Sequence, residues 1–415
     1  GLFLAMSVSL SAADIWVSPT GNDSGDGSKS APKASLTAAL RQARELRRLN
    51  DESVKNGVTI HLMSGVHQVY EPLFIRPEDS GTPASPTVIE GERGASVSGG
   101  VVLSGWKKQG KLWVADAPLF NGRPLDFRQL WVNGVKADRA RDVEDFEKMY
   151  RILNNDAKNR VLWVPAEAVK KIKNAKYPEM VLHEMWCIAN LRIKSIDIQG
   201  DSAAVRFHDP ESRIQFEHPW PRPMVTTNGR NSAFYLTNAK ELLDRPGEWY
   251  HDIDTRKVYY YPRGNEEMPK AEVVVPAVET LVQVLGTIDS PVKNVQFKNV
   301  TFNYSTWMRP SLQGHVPLQA GMYLTDGYKI NPKMIRNYRN QGWLGRPAAA
   351  VQVRFADDID FSGCTFEHLG ATGLDYVEAA HGGTVDGCLF RDIAGNGVVV
   401  GSFSPAAHET HKPYD

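Results

Sequence analysis

The sequence predicts an all-β fold: a right-handed parallel β-helix with an inserted antiparallel β-sandwich domain and a short N-terminal capping helix. Three observations carry this prediction. Near the C-terminal end, Gly363-Cys364-Thr365-Phe366 recurs 24 residues later as Gly387-Cys388-Leu389-Phe390. The match continues at the same offset, Leu369 with Ile393, Gly373 with Gly397 and Leu374 with Val398. A period of 20–30 residues made of short β segments and Gly/Asn turns signals a solenoid, each repeat being one coil. Second, the same coil occurs earlier. Val300-Thr301-Phe302 echoes Cys364-Thr365-Phe366, and Leu281-Val282-Gln283-Val284 echoes Ala350-Val351-Gln352-Val353. Third, the 24-residue texture vanishes between Trp106 and about Pro276, where longer alternating strands replace it. Alternation of apolar and polar residues suits antiparallel strands buried on one face.

Taken in order, residues 1–13 (GLFLAMSVSLSAA) read as a signal-peptide remnant. Ser11 and Ala13 suit a signal peptidase site, with the mature chain starting at Asp14. Residues 14–105 are expected to form the N-terminal cap and first coils. Ile15-Trp16-Val17 is a short strand, and Leu36, Leu40, Ala43 and Leu46 follow helical spacing, giving an amphipathic helix to cap the solenoid. Val58–Val66 and Thr87–Gly91 are strands closed by turn glycines. Residues 106–276 form the inserted sandwich-like domain, with strands at Leu130–Gly134, Leu191–Ile198 and Lys257–Pro262. Asn133-Gly134 marks a type I′ hairpin. His218–Pro223 is too proline-rich for a central strand. Residues 277–415 form the main β-helix, interrupted by roughly 40 residues (Asn303 to Arg346) that hold Trp307, Arg309, His315, Tyr323 and Trp343. Insertions in a solenoid project on one face and tend to line the binding groove.

Composition narrows the function. Lys+Arg and Asp+Glu both number 48, so the formal net charge is zero. A nucleic-acid binder needs a basic footprint to neutralise phosphates, and this balance argues against one. Neutral sugars fit it, whereas a polyanionic substrate would need a local Arg/Lys cluster that net charge cannot reveal. Cys187, Cys364 and Cys388 are too few for a disulfide scaffold, and Cys364 and Cys388 read as core. No further apolar run is long enough to span a bilayer. The expectation is a periplasmic or secreted monomer without a cofactor.

Two stretches support a resemblance. Trp16-Val-Ser-Pro-Thr-Gly-Asn-Asp-Ser-Gly-Asp-Gly27, with the helix after it, resembles the N-terminal start of pectate-lyase-like β-helix proteins. Leu242–Asp252, followed by Val258–Pro262, resembles the end of the inserted sandwich in β-helix glycoside hydrolases. Together they most resemble glycoside hydrolase family 141, which includes an α-L-fucosidase acting on the pectin rhamnogalacturonan II and a xylanase. The resemblance spans most of the chain from Ile15 onwards. It implies a glycosidase acting on an oligosaccharide or polysaccharide of the plant cell wall. It also implies that the helix continues past Asp415, so that the chain is truncated, with catalytic carboxylates expected on the later coils as the alternative to a pair within this chain.

Glycoside hydrolysis needs two carboxyl groups, one to protonate the leaving oxygen and one to act as base or nucleophile. Within the chain the candidate pair is Asp375 and Glu378, in a carboxylate-rich stretch that also holds His368 and His381. Solvated turns of a solenoid are the competing explanation. Trp307, His315, Trp343, His368 and His381 are the candidate substrate-binding residues, with Trp faces stacking on sugar C–H bonds and His donating to hydroxyls. No metal site is expected. Asp357, Asp358 and Asp360 would point to opposite faces of a strand, and Asn22, Asp23, Gly25 and Asp26 lack the spacing of a calcium loop. His408 and His411 lie in a loop beside Glu409. Two other functions remain open: a polysaccharide lyase acting on uronates, and a non-catalytic carbohydrate-binding solenoid.

Overall fold

The computed structural model describes residues 12–218, 222–327 and 344–402. The N-terminal apolar run up to residue 11, Trp343, His408 and His411 lie outside the described residues. The chain divides into two compact units.

The first unit holds Gly1–Gly100, Val278–Ser305 and Ala348–Asp415. It is built from parallel strands whose register repeats from one turn of chain to the next. One run stacks Ala13–Val17, Val58–Leu62, Thr87–Gly91, Val292–Lys298 and the second half of Ala349–Ser362. Its interior ladder is Ile15, Ile60, Ile89, Phe297 and Phe361, every member at most 1% exposed. A second sheet stacks Gly65–Gln68, Ala95–Ser98, Thr301–Ser305, Thr365–Leu369 and Leu389–Ile393. A third row, Leu73, Val282, Val351, Leu374 and Val398, joins Leu73–Ile75, Val282–Leu285, the first half of Ala349–Ser362, Thr372–His381 and Val398–Val400. The sequence repeats are therefore spatial neighbours. Thr365 pairs with Leu389, Phe366 with Phe390 and Leu374 with Val398. Phe302 pairs with Phe366, and Gln283 with Gln352.

Stacking equivalent residues about 4.8 Å apart turns aromatics into continuous ring stacks. Phe302, Phe366 and Phe390 follow one another with centroids 5.0 and 4.6 Å apart. Phe297 lies 4.9 Å from Phe361 at an interplanar angle of 3°. The corners between strands repeat as well. Tyr304, His368 and Asp392 all adopt positive φ (55°, 57° and 48°), as do Asn294, Asp358 and Gly382 (50°, 55° and 65°). Left-handed backbone at matching positions turns the chain by the same angle in each coil.

At the N-terminal end, the helix Leu36–Arg48 buries Leu36, Ala39, Leu40 and Ala43. Ser35 caps it through a hydrogen bond from the Ala38 amide (3.1 Å). Asp23 in turn accepts from the Ser35 hydroxyl (2.8 Å) and from the amides of Ala34 and Ser35. Turn and cap chemistry accounts for this acidic loop.

The second unit holds Val101–Ala277 and Thr306–Pro347, so the interrupting segment of the solenoid clusters with the inserted strands. An eight-stranded and a seven-stranded sheet make up most of it, with antiparallel pairing throughout except where Asp138 and Arg139 run parallel to Glu248 and Trp249. Asn133 and Gly134 both have positive φ and close the hairpin in which Val132 faces Val135. A buried ion cluster ties the unit together. Glu179 accepts from Arg128 (2.9 and 3.0 Å) and from Arg139 (3.0 and 3.2 Å), and Arg128 also donates to Ser311 Oγ at 2.6 Å. Burial works against the Glu179 charge, yet the two guanidiniums hold its carboxyl down at about 2.

Candidate functional site

On a β-strand, residues three apart point to opposite faces. Asp375 and Glu378 escape this rule. Asp375 pairs with Gln352 and Tyr376 with Val353, but Arg354 pairs with Glu378, because a β-bulge takes up one residue of the strand Thr372–His381 between them. Leu374 and Tyr376 face the interior; Leu374 is 0% exposed and the Tyr376 hydroxyl donates to the Ile359 carbonyl at 3.0 Å. Asp375 therefore lies on the outer face of its strand, and the bulge returns Glu378 to that face two ladder positions on.

The neighbours on this face are polar. Gln283 and Gln352 occupy the ladder positions before Asp375, and the Gln283 amide donates to Gln352 Oε1 at 3.2 Å. Arg354 places a guanidinium nitrogen 3.7 Å from the Glu378 carboxylate. Asp375 is only 1% exposed, whereas Glu378 is partly accessible. Two carboxyl groups on one face, one shielded from water and one beside a guanidinium, are the residue types that proton delivery and water activation need. Sequence reasoning missed Gln283, Gln352 and Arg354. Their signal was the glutamine shared by the two Val-Gln-Val repeats.

The other candidates separate into three places. His381 follows Glu378 on the same strand, stacks in register over Asp357 and Lys293, and its Nδ1 lies 3.2 Å from Asp357. His368 belongs to the other sheet, on a left-handed corner, where its Nδ1 lies 2.7 Å from Asp392 and its ring stacks on Tyr304 at 5.1 Å. Trp307 and His315 come together in the second unit. Their rings meet edge to face at 5.3 Å, and Tyr323 completes the cluster at 5.5 and 6.0 Å. Burial, helped by Arg309 and Arg128, pushes the His315 imidazole down to about 4, so it is neutral at physiological pH. Trp343, placed with them by sequence reasoning, lies outside the described residues.

The aspartates near residue 358 have structural duties. Asp357 pairs with His381, Asp358 sits on a corner, and Asp360 accepts from the Thr384 amide and hydroxyl (3.0 and 2.8 Å). Among the described residues, no group of three or more His, Cys, Asp or Glu side chains is arranged to hold a metal ion. No helix among them is long and apolar enough to cross a membrane.

Residues 110–263 match the family described as the GH141 insertion domain. A solved structure named "Glycoside hydrolase" is 67% identical, covers 97% of this chain and 70% of its own, and superposes with a TM-score of 0.92. Two further structures are far more distant. "The complex structure of XylC with xylose" is 11% identical, with 94% of this chain and 64% of that chain covered and a TM-score of 0.31. The lacto-N-biosidase of family GH136 from Eubacterium ramulus is 11% identical, with 94% and 56% covered and a TM-score of 0.23. No curated protein matches the chain. The insertion-domain match within the second unit, and the close relative that spans both units, lead to one assignment: this glycoside hydrolase chain belongs to family 141.

Proposed function

We propose that the protein is an exported glycosidase acting on plant cell-wall polysaccharide, either an α-L-fucosidase of rhamnogalacturonan II or a xylanase, with Asp375 and Glu378 as its carboxylate pair. In this reading the stacked parallel coils wind as a right-handed β-helix, the hand that parallel crossover connections adopt almost without exception. The single observation that carries the site is the bulge that sets Asp375 and Glu378 on one outer face.

The chemistry follows from that placement. Asp375 donates its proton to the glycosidic oxygen as the C–O bond breaks, and the leaving sugar departs as an alcohol. Glu378, beside Arg354, removes a proton from the water that attacks the anomeric carbon. Gln283 and Gln352 bind hydroxyls along the same row. The N-terminal run through Ala13 is the export signal, and N-terminal sequencing of the protein recovered from the periplasm or medium should begin at Asp14.

Incubation of the full-length protein with rhamnogalacturonan II oligosaccharides and with a xylan digest, followed by mass analysis, decides the substrate. Release of deoxyhexose supports the fucosidase, and shortened xylo-oligomers support the xylanase. Products that absorb in the ultraviolet and vanish with EDTA would replace this reading with a lyase.

A further inference from the structure

The zero net charge conceals a local excess of arginine in the second unit. Two adjoining clefts, of about 700 and 870 Å³, share Met185, Trp186 and Met224 in their walls. Met185 and Trp186 lie on the tight turn between the strands Glu179–His183 and Ile188–Gln199, closed by the Glu184 amide donating to the Cys187 carbonyl at 2.9 Å. They are 64% and 47% exposed. A large indole ring half exposed on a turn between two clefts contributes little to the core.

The polar lining carries the argument further. Arg222 lines one cleft, and Arg151 and Arg230 line the other. Among the described residues none of the three has a carboxylate within salt-bridge distance. Two carboxyl groups face them. Glu147 is on the surface, while Glu184 is partly buried, accepts from the Gln215 amide (2.6 Å), and is pushed up to about 7 by desolvation. Gln215 is itself only 1% exposed, yet its Oε1 has no hydrogen-bond partner among the described residues. Buried amide oxygens are normally satisfied, so an orphan at a cleft wall marks a place where a ligand hydroxyl fits.

We propose that this pair of clefts is an accessory binding site for an acidic oligosaccharide, a glycan chain carrying uronate groups. Trp186 stacks on the apolar face of one sugar ring, Gln215 Oε1 accepts from a ring hydroxyl, and the guanidiniums of Arg222 and Arg230 bind carboxylates of neighbouring residues. Arg151 lies 4.5 Å over the Phe146 ring, which holds its charge at the cleft edge. A neutral glycan would give the Arg222 and Arg230 guanidiniums no carboxylate of its own to bind, and nucleic acid would demand a far larger basic surface. The site rests on the family assignment, which makes the ligand a glycan, and not on Asp375 and Glu378 being the catalytic pair.

The test measures calorimetric binding of galacturonate hexamer and of xylohexaose to the full-length protein, to W186A and to R222A/R230A. The three side chains are exposed or partly exposed, so the variants should unfold at the wild-type temperature. The expected result is binding of the hexagalacturonate that weakens at least tenfold in each variant and falls as salt rises from 50 to 300 mM, about as screening of surface charges requires. Xylohexaose should bind at least tenfold more weakly. A D375N variant should bind the hexagalacturonate as the wild type does, which separates this site from the reaction. Equal affinity for the two hexamers, or variants that bind like wild type, would overturn the proposal. Restored binding in W186F supports stacking over a fold defect.

Discussion

Asp375 and Glu378 are three residues apart in sequence but only two ladder positions apart in space, opposite Gln352 and Arg354. The bulge between them converts an arrangement that would split the carboxylates across the sheet into one that aligns them. At a rise of about 3.3 Å per residue, their Cα atoms are separated by roughly 6.6 Å along the strand. Bulges are common beside active sites because they re-aim a side chain without altering the neighbouring coils.

If this pair carries the reaction, Asp375→Asn and Glu378→Gln should each lower kcat by roughly 10²–10⁴-fold while KM changes little. Azide should rescue Glu378→Gln better than Asp375→Asn, because it replaces the attacking water and not the acid. The opposite pattern, a raised KM with kcat preserved, would make both residues substrate contacts and put the pair elsewhere in the protein.

Glu378 acting as base on a water, and not as nucleophile, requires the inverting arrangement, in which the carboxyl groups lie roughly 6.5–9.5 Å apart to leave room for that water. Proton NMR of the first-formed product should therefore show the inverted anomer before mutarotation. A retained anomer would make the second carboxylate a nucleophile and overturn the role of Glu378 as base.

Stability of the first unit depends on its stacked rings. Phe366 is 0% exposed between Phe302 and Phe390. Phe366→Ala should cost about 3–5 kcal/mol, the range for truncating a buried aromatic, and should lower the denaturant midpoint accordingly. Corners should be similarly intolerant. Gly382 has φ of 65°, and an added Cβ would meet Asp358 Oδ1 at 2.4 Å, so Gly382→Ala should lose about 1–2 kcal/mol.

Much of this frame was legible before any coordinates. The 24-residue offset that pairs Phe366 with Phe390 and the Val-Gln-Val repeat that pairs Gln283 with Gln352 are both ladders in space. They were readable because a solenoid writes spatial neighbours as a fixed sequence interval. The site was harder. Strand alternation alone would put Asp375 and Glu378 on opposite faces, and nothing in the residues themselves announces the bulge. His368 looked close to Asp375 in the sequence, but a corner sends it to the other sheet. Arg151 comes to the same pair of clefts as Arg222 and Arg230 from a segment about 70 residues away, which neither net charge nor spacing could show.

Within the second unit, Glu179 holds two buried guanidiniums at once. Glu179→Gln keeps the shape but removes the charge, leaving Arg128 and Arg139 uncompensated. It should cost about 3–5 kcal/mol. Replacing all three residues together with apolar ones of similar volume should recover most of that loss, since the pair's own desolvation cost disappears with it. Urea unfolding of the single and triple variants tests both halves.

Glu184 gives the protein a pH-dependent weakness of definite sign. Its carboxyl ionises near 4.5 in the unfolded chain but only at about 7 in the fold, because burial disfavours the charge. Below pH 4.5 both states are protonated and nothing is lost. Between pH 4.5 and 7 the unfolded chain releases the proton while the folded protein keeps it, so the folded state binds more protons and stability falls as pH rises. Above pH 7 the folded protein also ionises, and the full penalty of up to about 3 kcal/mol is in place. Glu184→Gln keeps an oxygen facing Gln215 but cannot ionise. Compared with wild type it should be equally stable at pH 4 and more stable at pH 8, with the difference opening through the interval from 4.5 to 7. Thermal denaturation across that range measures it, and parallel wild-type and variant curves would show that burial does not perturb this carboxyl.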